Sequence, residues 1–112
     1  MLEDDDHYHP VARPYQQRFG RLVSDHVFDK LRSIDLVLAE FIAMLNDPDA
    51  PPEVIAEARE SAAEVKELVL LVAWHRPLHV VIVVHEAREQ ERVVTVYEPY
   101  PSEWTADYRR RR

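Results

Sequence analysis

Two segments in the last third of the chain carry the residues best suited to chemistry, Arg76-Pro77-Leu78-His79-Val80-Val81 and Thr95-Val96-Tyr97-Glu98-Pro99. Side chains alternate between the two faces of a strand, so His79, Val81, Val83 and His85 fall on one face and Val93, Thr95 and Tyr97 on one face of a second strand. If the two faces coincide, an imidazole, a hydroxyl and a phenol share a surface. Arg76, in the turn just before His79, adds a guanidinium with the bidentate fit for a phosphate. RNA supplies its own 2′-OH nucleophile. A metal-free cleavage therefore needs only a proton acceptor, a proton donor and a cation for the developing phosphorane charge, roles open to His, His or Tyr, and Arg.

Each of these residues also has an ordinary structural role. A histidine at a strand start is commonly hydrogen-bonded packing, Thr95 and Tyr97 are good strand formers, and Arg76 suits a solvated turn. His26 falls in the first turn of a helical stretch, beside Lys30 and Ser33 and flanking the apolar stripe. His7 and His9 are spaced like a metal pair but lack a fixed third ligand, so no metal or other cofactor is expected. Arg109 to Arg112 form a basic end suited to solvent, to phosphates or to an acidic partner.

The elements that must position these groups are marked by periodicity. From Asp25 to Leu45, the residues Val27, Leu31, Ile34, Leu38, Phe41 and Leu45 recur at intervals of three and four, with Phe28 and Ile42 widening the stripe, which predicts one long helix. Ser24 or Asp25 caps its start, and Asn46-Asp47-Pro48 stops it. Pro51-Pro52-Glu53 opens a second, shorter helix in strong helix formers, ending near Ala63 or Glu64. Three β-branched runs come next, Glu67 to Trp74, Leu78 to His85 and Arg92 to Tyr97. Short connectors predict antiparallel pairing, and the middle run, apolar on both faces, should be central. Tyr100, Trp104 and Tyr108 are expected to pack back onto the sheet edge.

The fold class expected is α+β, with N-terminal helices packed on a small antiparallel sheet of about three strands. Residues 1–14 mix acid, His and Pro without periodicity and read as a mobile acidic tail; residues 15–112 are long enough for one core. The absence of cysteine removes disulfides, thiolate nucleophiles and Cys-ligated zinc. The N-terminus has no signal-peptide pattern and Val80 to Val84 is too short to span a bilayer, so a cytoplasmic, membrane-free protein is expected. The net charge of −7 is uneven: residues 1–65 hold 6 Lys and Arg against 14 Asp and Glu, whereas residues 66–112 hold 8 against 7. A polyanion would meet the second half first.

The order of His26 at a helix start, Arg76-Pro77-Leu78-His79-Val80-Val81, Thr95-Val96-Tyr97-Glu98-Pro99 and a Trp-containing, Arg-rich end resembles a bacterial domain family of toxin–antitoxin type. That family is grouped with RelE-like, barnase–EndoU–colicin toxin ribonucleases and is often encoded beside MqsA-like antitoxins. Where the family reads Arg-Gly-Ile, this chain reads Arg32-Ser33-Ile34. The resemblance covers roughly residues 20–112. It implies a metal-independent endoribonuclease acting on RNA by 2′-OH attack, with a cognate antitoxin as partner and His26, Arg76, His79, Thr95 and Tyr97 as the site. On that reading His26 and His79 exchange protons, Arg76 holds the phosphate, and Tyr97 with Thr95 orients it. The alternative is a non-catalytic protein-interaction module, or inactive toxin homologue, that binds a partner protein or a second copy through an exposed sheet edge.

Overall fold

A computed structural model describes residues 8–112. Along the chain come β1 (His9–Pro14), β2 (Gly20–Val23), α1 (Asp25–Ser33), α2 (Leu38–Leu45), β3 (Glu53–Ser61), β4 (Glu64–Leu71), β5 (Leu78–His85) and β6 (Gln90–Tyr97). The class is α+β, but the helices lie between β2 and β3 rather than at the N-terminus. The sheet has six strands in the order β1-β3-β4-β5-β6-β2, and is mixed, because β2 runs parallel to β6. Among the described residues no helix is long and apolar enough to cross a membrane.

The single helix expected from Asp25 to Leu45 is two. Ile34 caps α1, Asp35 turns to a positive φ of 56°, and the N–H groups of Leu36 and Asp35 donate to the carbonyls of Leu31 and Arg32 at 3.0 and 3.2 Å. This is the Schellman arrangement, in which a left-handed residue satisfies the last carbonyls of a helix, and it is sealed here by the buried pair Leu31 and Leu36. The apolar stripe survives the break: Val27, Leu31, Phe41 and Leu45 are buried together, with Ile34 and Leu38 packed against them.

The second expected helix is a strand. Glu53–Ser61 pairs antiparallel with β1 on one side and β4 on the other, closing a hairpin at Ser61 opposite Glu64 through Ala62 and Ala63. Val54 faces the helices and Ile55 the opposite side, each in a different apolar cluster. Two ladders of backbone hydrogen bonds and burial on both faces outweigh the helix propensity of its Glu and Ala residues. Of the tail expected over residues 1–14, residues 1–7 lie outside the described residues, while His9–Pro14 forms the edge strand β1, where prolines are tolerated.

β4 and β5 form the centre of the sheet, and β5 occupies the run expected of it. One face is covered by α1 and α2, over Val80, Ile82, Val93 and Val96; the other by the C-terminal segment, whose Trp104 packs on Ile55, Leu68, Leu70 and Val81.

β1 and β2 lie on opposite edges, so residues 15–19 must cross the sheet as a strap. Five strand spacings are about 24 Å flat, and six Cα steps reach about 21 Å at most, so the sheet has to curl. Two buried carboxylates pin the strap. Glu91 accepts from the Tyr15 hydroxyl and the Arg18 and Phe19 N–H groups at 2.6, 2.6 and 3.2 Å, and Glu67 accepts from Arg13 and Arg18 at 2.8 and 2.9 Å. The Arg18 and Phe19 N–H groups, which have no strand partner, are thereby satisfied, while the Tyr15 N–H donates to the Pro52 carbonyl at 2.8 Å.

Candidate functional site

The pleat of β5 sends Leu78 and Val80 toward the helices and His79 to the opposite face, where its register partner is Tyr97 of β6. His79 is wholly buried. Its Nε2 lies 2.8 Å from the Tyr108 carbonyl and its Nδ1 3.2 Å from the Tyr97 hydroxyl. A carbonyl only accepts, so Nε2 carries the proton and Nδ1 accepts from the phenol. The Trp104 ring stands edge-on to the imidazole at 4.4 Å and the Tyr97 ring at 5.4 Å. Burial lowers the His79 pKa to about 4, outweighing the Tyr108 carbonyl, which favours the protonated ring; nearby Arg111 lowers it further. The ring is neutral near pH 7, with both nitrogens committed.

Thr95, opposite Val81, and Tyr97 share the face of His79 as expected, but Val93 does not. Ile82 pairs with Val93 immediately after Val81 pairs with Thr95, so Val94 is an extra, bulged residue. The bulge turns Val93 into the helix-side core and Val94 toward the cluster around Trp104. At the far end of the strand, His85 Nδ1 accepts the Arg88 N–H at 3.2 Å and serves the β5–β6 loop.

Neither Arg76 nor His26 is among the hydrogen-bond or ring partners of His79. Arg76 is exposed in the β4–β5 loop, its guanidinium over the Trp74 ring at 4.8 Å and its Nε 3.3 Å from Glu98. His26 is exposed on α1. The buried side of that helix, Val27 and Leu31, packs in the cluster of Val80 and Val96, so the sheet separates His26 from His79. The expected convergence of the two imidazoles on one guanidinium is thus corrected by the pleat: the face that packs on α1 is the one His79 does not occupy. Of the proposed metal pair, His9 is exposed and His7 lies outside the described residues.

The topology does open a groove where β6 ends, between α1 and the C-terminal segment. Two adjoining cavities of about 240 and 420 Å³ share Lys30, Tyr97, Glu98 and Tyr100 as lining. Glu103 and Arg111, paired with each other at 3.1 Å, close one end, and Ser33 and Pro99 the other. Tyr97 therefore touches His79 behind it and the groove in front. The chain matches no family model, no curated protein and no solved structure.

Lys30, Glu98 and Tyr100 line this groove without having been expected in a site, whereas Arg111 belongs to the basic end that the sequence did single out. Lys30 and Ser33 sit with His26 on one side of α1, a helical spacing that placed them together but gave no sign that a groove would use Lys30 and Ser33 and leave His26 out. The groove is lined by the cations Lys30 and Arg111 and the carboxylates Glu98 and Glu103, and Tyr100 is 68 % exposed at its edge. Such a lining neutralises a polyanion poorly, whereas it offers a protein segment charges of both signs and an aromatic surface.

Proposed function

We propose that this chain is a non-catalytic interaction module, an inactive homologue of the toxin family it resembles, that binds a partner protein along the groove of Lys30, Tyr97 and Tyr100. The observation that carries this reading is the state of His79: a neutral, fully buried ring with both nitrogens hydrogen-bonded, and His26 across the sheet from it. Acid–base cleavage needs two exchangeable proton carriers at one phosphate, and a ring with a pKa near 4 is protonated in roughly one molecule in a thousand at pH 7.

The partner expected from the resemblance is a small antitoxin-like protein. Co-expression with candidate partners and then size-exclusion chromatography tests this: Tyr100→Ala and Lys30→Glu should each weaken the complex without changing the unfolding midpoint. RNA should remain uncut and growth unaffected when the chain is expressed alone. Growth arrest relieved by His79→Ala but not by Tyr100→Ala would sink the module reading.

That outcome would favour the second reading, a toxin endoribonuclease, which draws its support from one feature: His79, Tyr97 and Thr95 do share a face. On that reading the C-terminal segment has to lift before the His79 ring can reach RNA.

A further inference from the structure

The C-terminal segment, residues 99–112, makes a second cleft on the face away from the helices. The segment folds on itself: the Thr105 N–H donates to the Arg110 carbonyl at 2.8 Å, the Arg112 N–H to the Glu103 carbonyl at 2.9 Å, and Trp104 bridges to Arg111. It is a cap that satisfies its own backbone. It is fastened to the sheet by the Trp104 ring on His79, by the Tyr108 carbonyl on His79 Nε2, and by a two-point ion pair from Arg109 to Glu53 at 2.8 and 3.1 Å. Where the cap meets β3 and β4 it leaves an open-sided cavity of about 260 Å³, floored by Ile55, Leu68 and Trp104 and rimmed by Arg109, Arg110 and Arg111.

The three arginines are not equivalent. Arg109 is held by Glu53; Arg111 lies over the Trp104 ring at 5.0 Å and pairs with Glu103. Arg110 is exposed, and its side chain has no hydrogen-bond or ionic partner among the described residues. One free guanidinium beside an apolar floor is complementary to one anionic charge on an apolar body. Two further features set the class of ligand. Glu53 and Glu103 already neutralise the neighbouring arginines and would repel a dianion. The volume is also below the roughly 300–1,000 Å³ of drug-sized pockets, which leaves room for a single ring or short chain rather than a nucleotide.

We propose that this seam is a binding site for a small amphipathic carboxylate, its apolar body on Ile55, Leu68 and Trp104 and its carboxylate paired with the Arg110 guanidinium. A ligand there touches cap and sheet together, so its binding holds the cap closed over His79. The site does not depend on the interaction reading above.

The test is a titration of the full chain with 3-phenylpropionate and, separately, with 3-phenylpropanamide, monitored by backbone and indole NMR shifts. Saturable shifts centred on Ile55, Leu68 and Trp104 are expected with the acid, at least about tenfold tighter than with the amide. Arg110→Gln should lose the same factor of about ten while unfolding at the parent temperature, since its side chain has no hydrogen-bond or ionic partner among the described residues. Equal binding of acid and amide, unchanged binding by Arg110→Gln, or the absence of saturation would each overturn the proposal. Displacement of the acid by uridine 3′-monophosphate at the same residues would overturn it in favour of a nucleotide site.

Discussion

Because His79 is buried neutral, acid should unfold this protein by a route that one substitution removes. The unfolded ring titrates at its ordinary value of 6.5 and the folded ring near 4. Between those values the unfolded state binds the proton and the folded state does not. The stability contributed by the neutral ring is therefore complete above pH 6.5 and is lost as pH falls toward 4, amounting by pH 4 to about 3 kcal/mol. His79→Phe keeps an aromatic ring against Trp104 but removes the hydrogen bonds of the imidazole with the Tyr97 hydroxyl and the Tyr108 carbonyl, a cost of about 2 kcal/mol at neutral pH. That cost does not titrate. Urea denaturation of both chains from pH 7.5 to 4 should thus show the parent more stable at neutral pH and the gap closing or reversing in acid, while carboxylate losses, common to both, cancel in the difference. In parallel, the His79 ring-proton NMR shift should not move until the pH is well below 6. Parallel stability curves, or a ring that titrates near 6.5 in the folded chain, would refute the sealed neutral imidazole and restore His79 as a proton carrier.

Three further outcomes concern the elements around it. In the strap, Glu91→Gln leaves one acceptor oxygen for three converging donors and should cost about 3 kcal/mol, against about 1.5 kcal/mol for Tyr15→Phe, read by urea denaturation. Burial, with Glu91 alongside, raises the Tyr15 pKa well above the ordinary phenol range, so it donates to Glu91 at every working pH and this difference should be flat between pH 6 and 9. At the helix break, Asp35→Gly removes a non-glycine residue from φ 56° and should stabilise by about 0.5–1 kcal/mol, a rise of about 2–4 °C in the unfolding midpoint. His26→Ala should change neither stability by more than about 0.5 kcal/mol nor the His79 ring signals, as the sheet stands between them.

The parts of the fold legible in the sequence are those whose signal is local. Leu78 to His85 is apolar and β-branched enough to allow only a central strand, and the register of Tyr97 opposite His79 is set once β6 is placed beside it. The strands that escaped are made by their neighbours. Glu53–Ser61 is rich in Glu and Ala and becomes β3 because β1 and β4 flank it; Gly20–Val23 has four residues and no periodicity of its own, and exists as β2 through its parallel ladder with β6. The helix break hid for a different reason. Leu31, Ile34 and Leu38 keep helical spacing across it, and only the backbone at Asp35 departs, at a residue type that occupies the left-handed region less readily than glycine.

The site was half legible on the same grounds. Period-two alternation placed Thr95 and Tyr97 with His79, but alternation cannot tell which face of a sheet a helix covers, and that choice decides whether His26 meets His79. Here α1 packs on the face of Val80 and Val96, leaving the polar face of β5 to the chain beyond β6. That stretch brings Trp104 and Tyr108, which the sequence pattern sends to the sheet edge and the fold lays across its face. A buried imidazole between two strands needs a partner for each nitrogen, and this chain supplies one from the neighbouring strand and one from its own C-terminal cap. The histidine in the family-like motif thereby fastens the cap to the sheet. On the proposed readings, recognition falls to the cap's margins, in the groove of Lys30 and Tyr100 on one side and at Arg110, unpaired among the described residues, on the other.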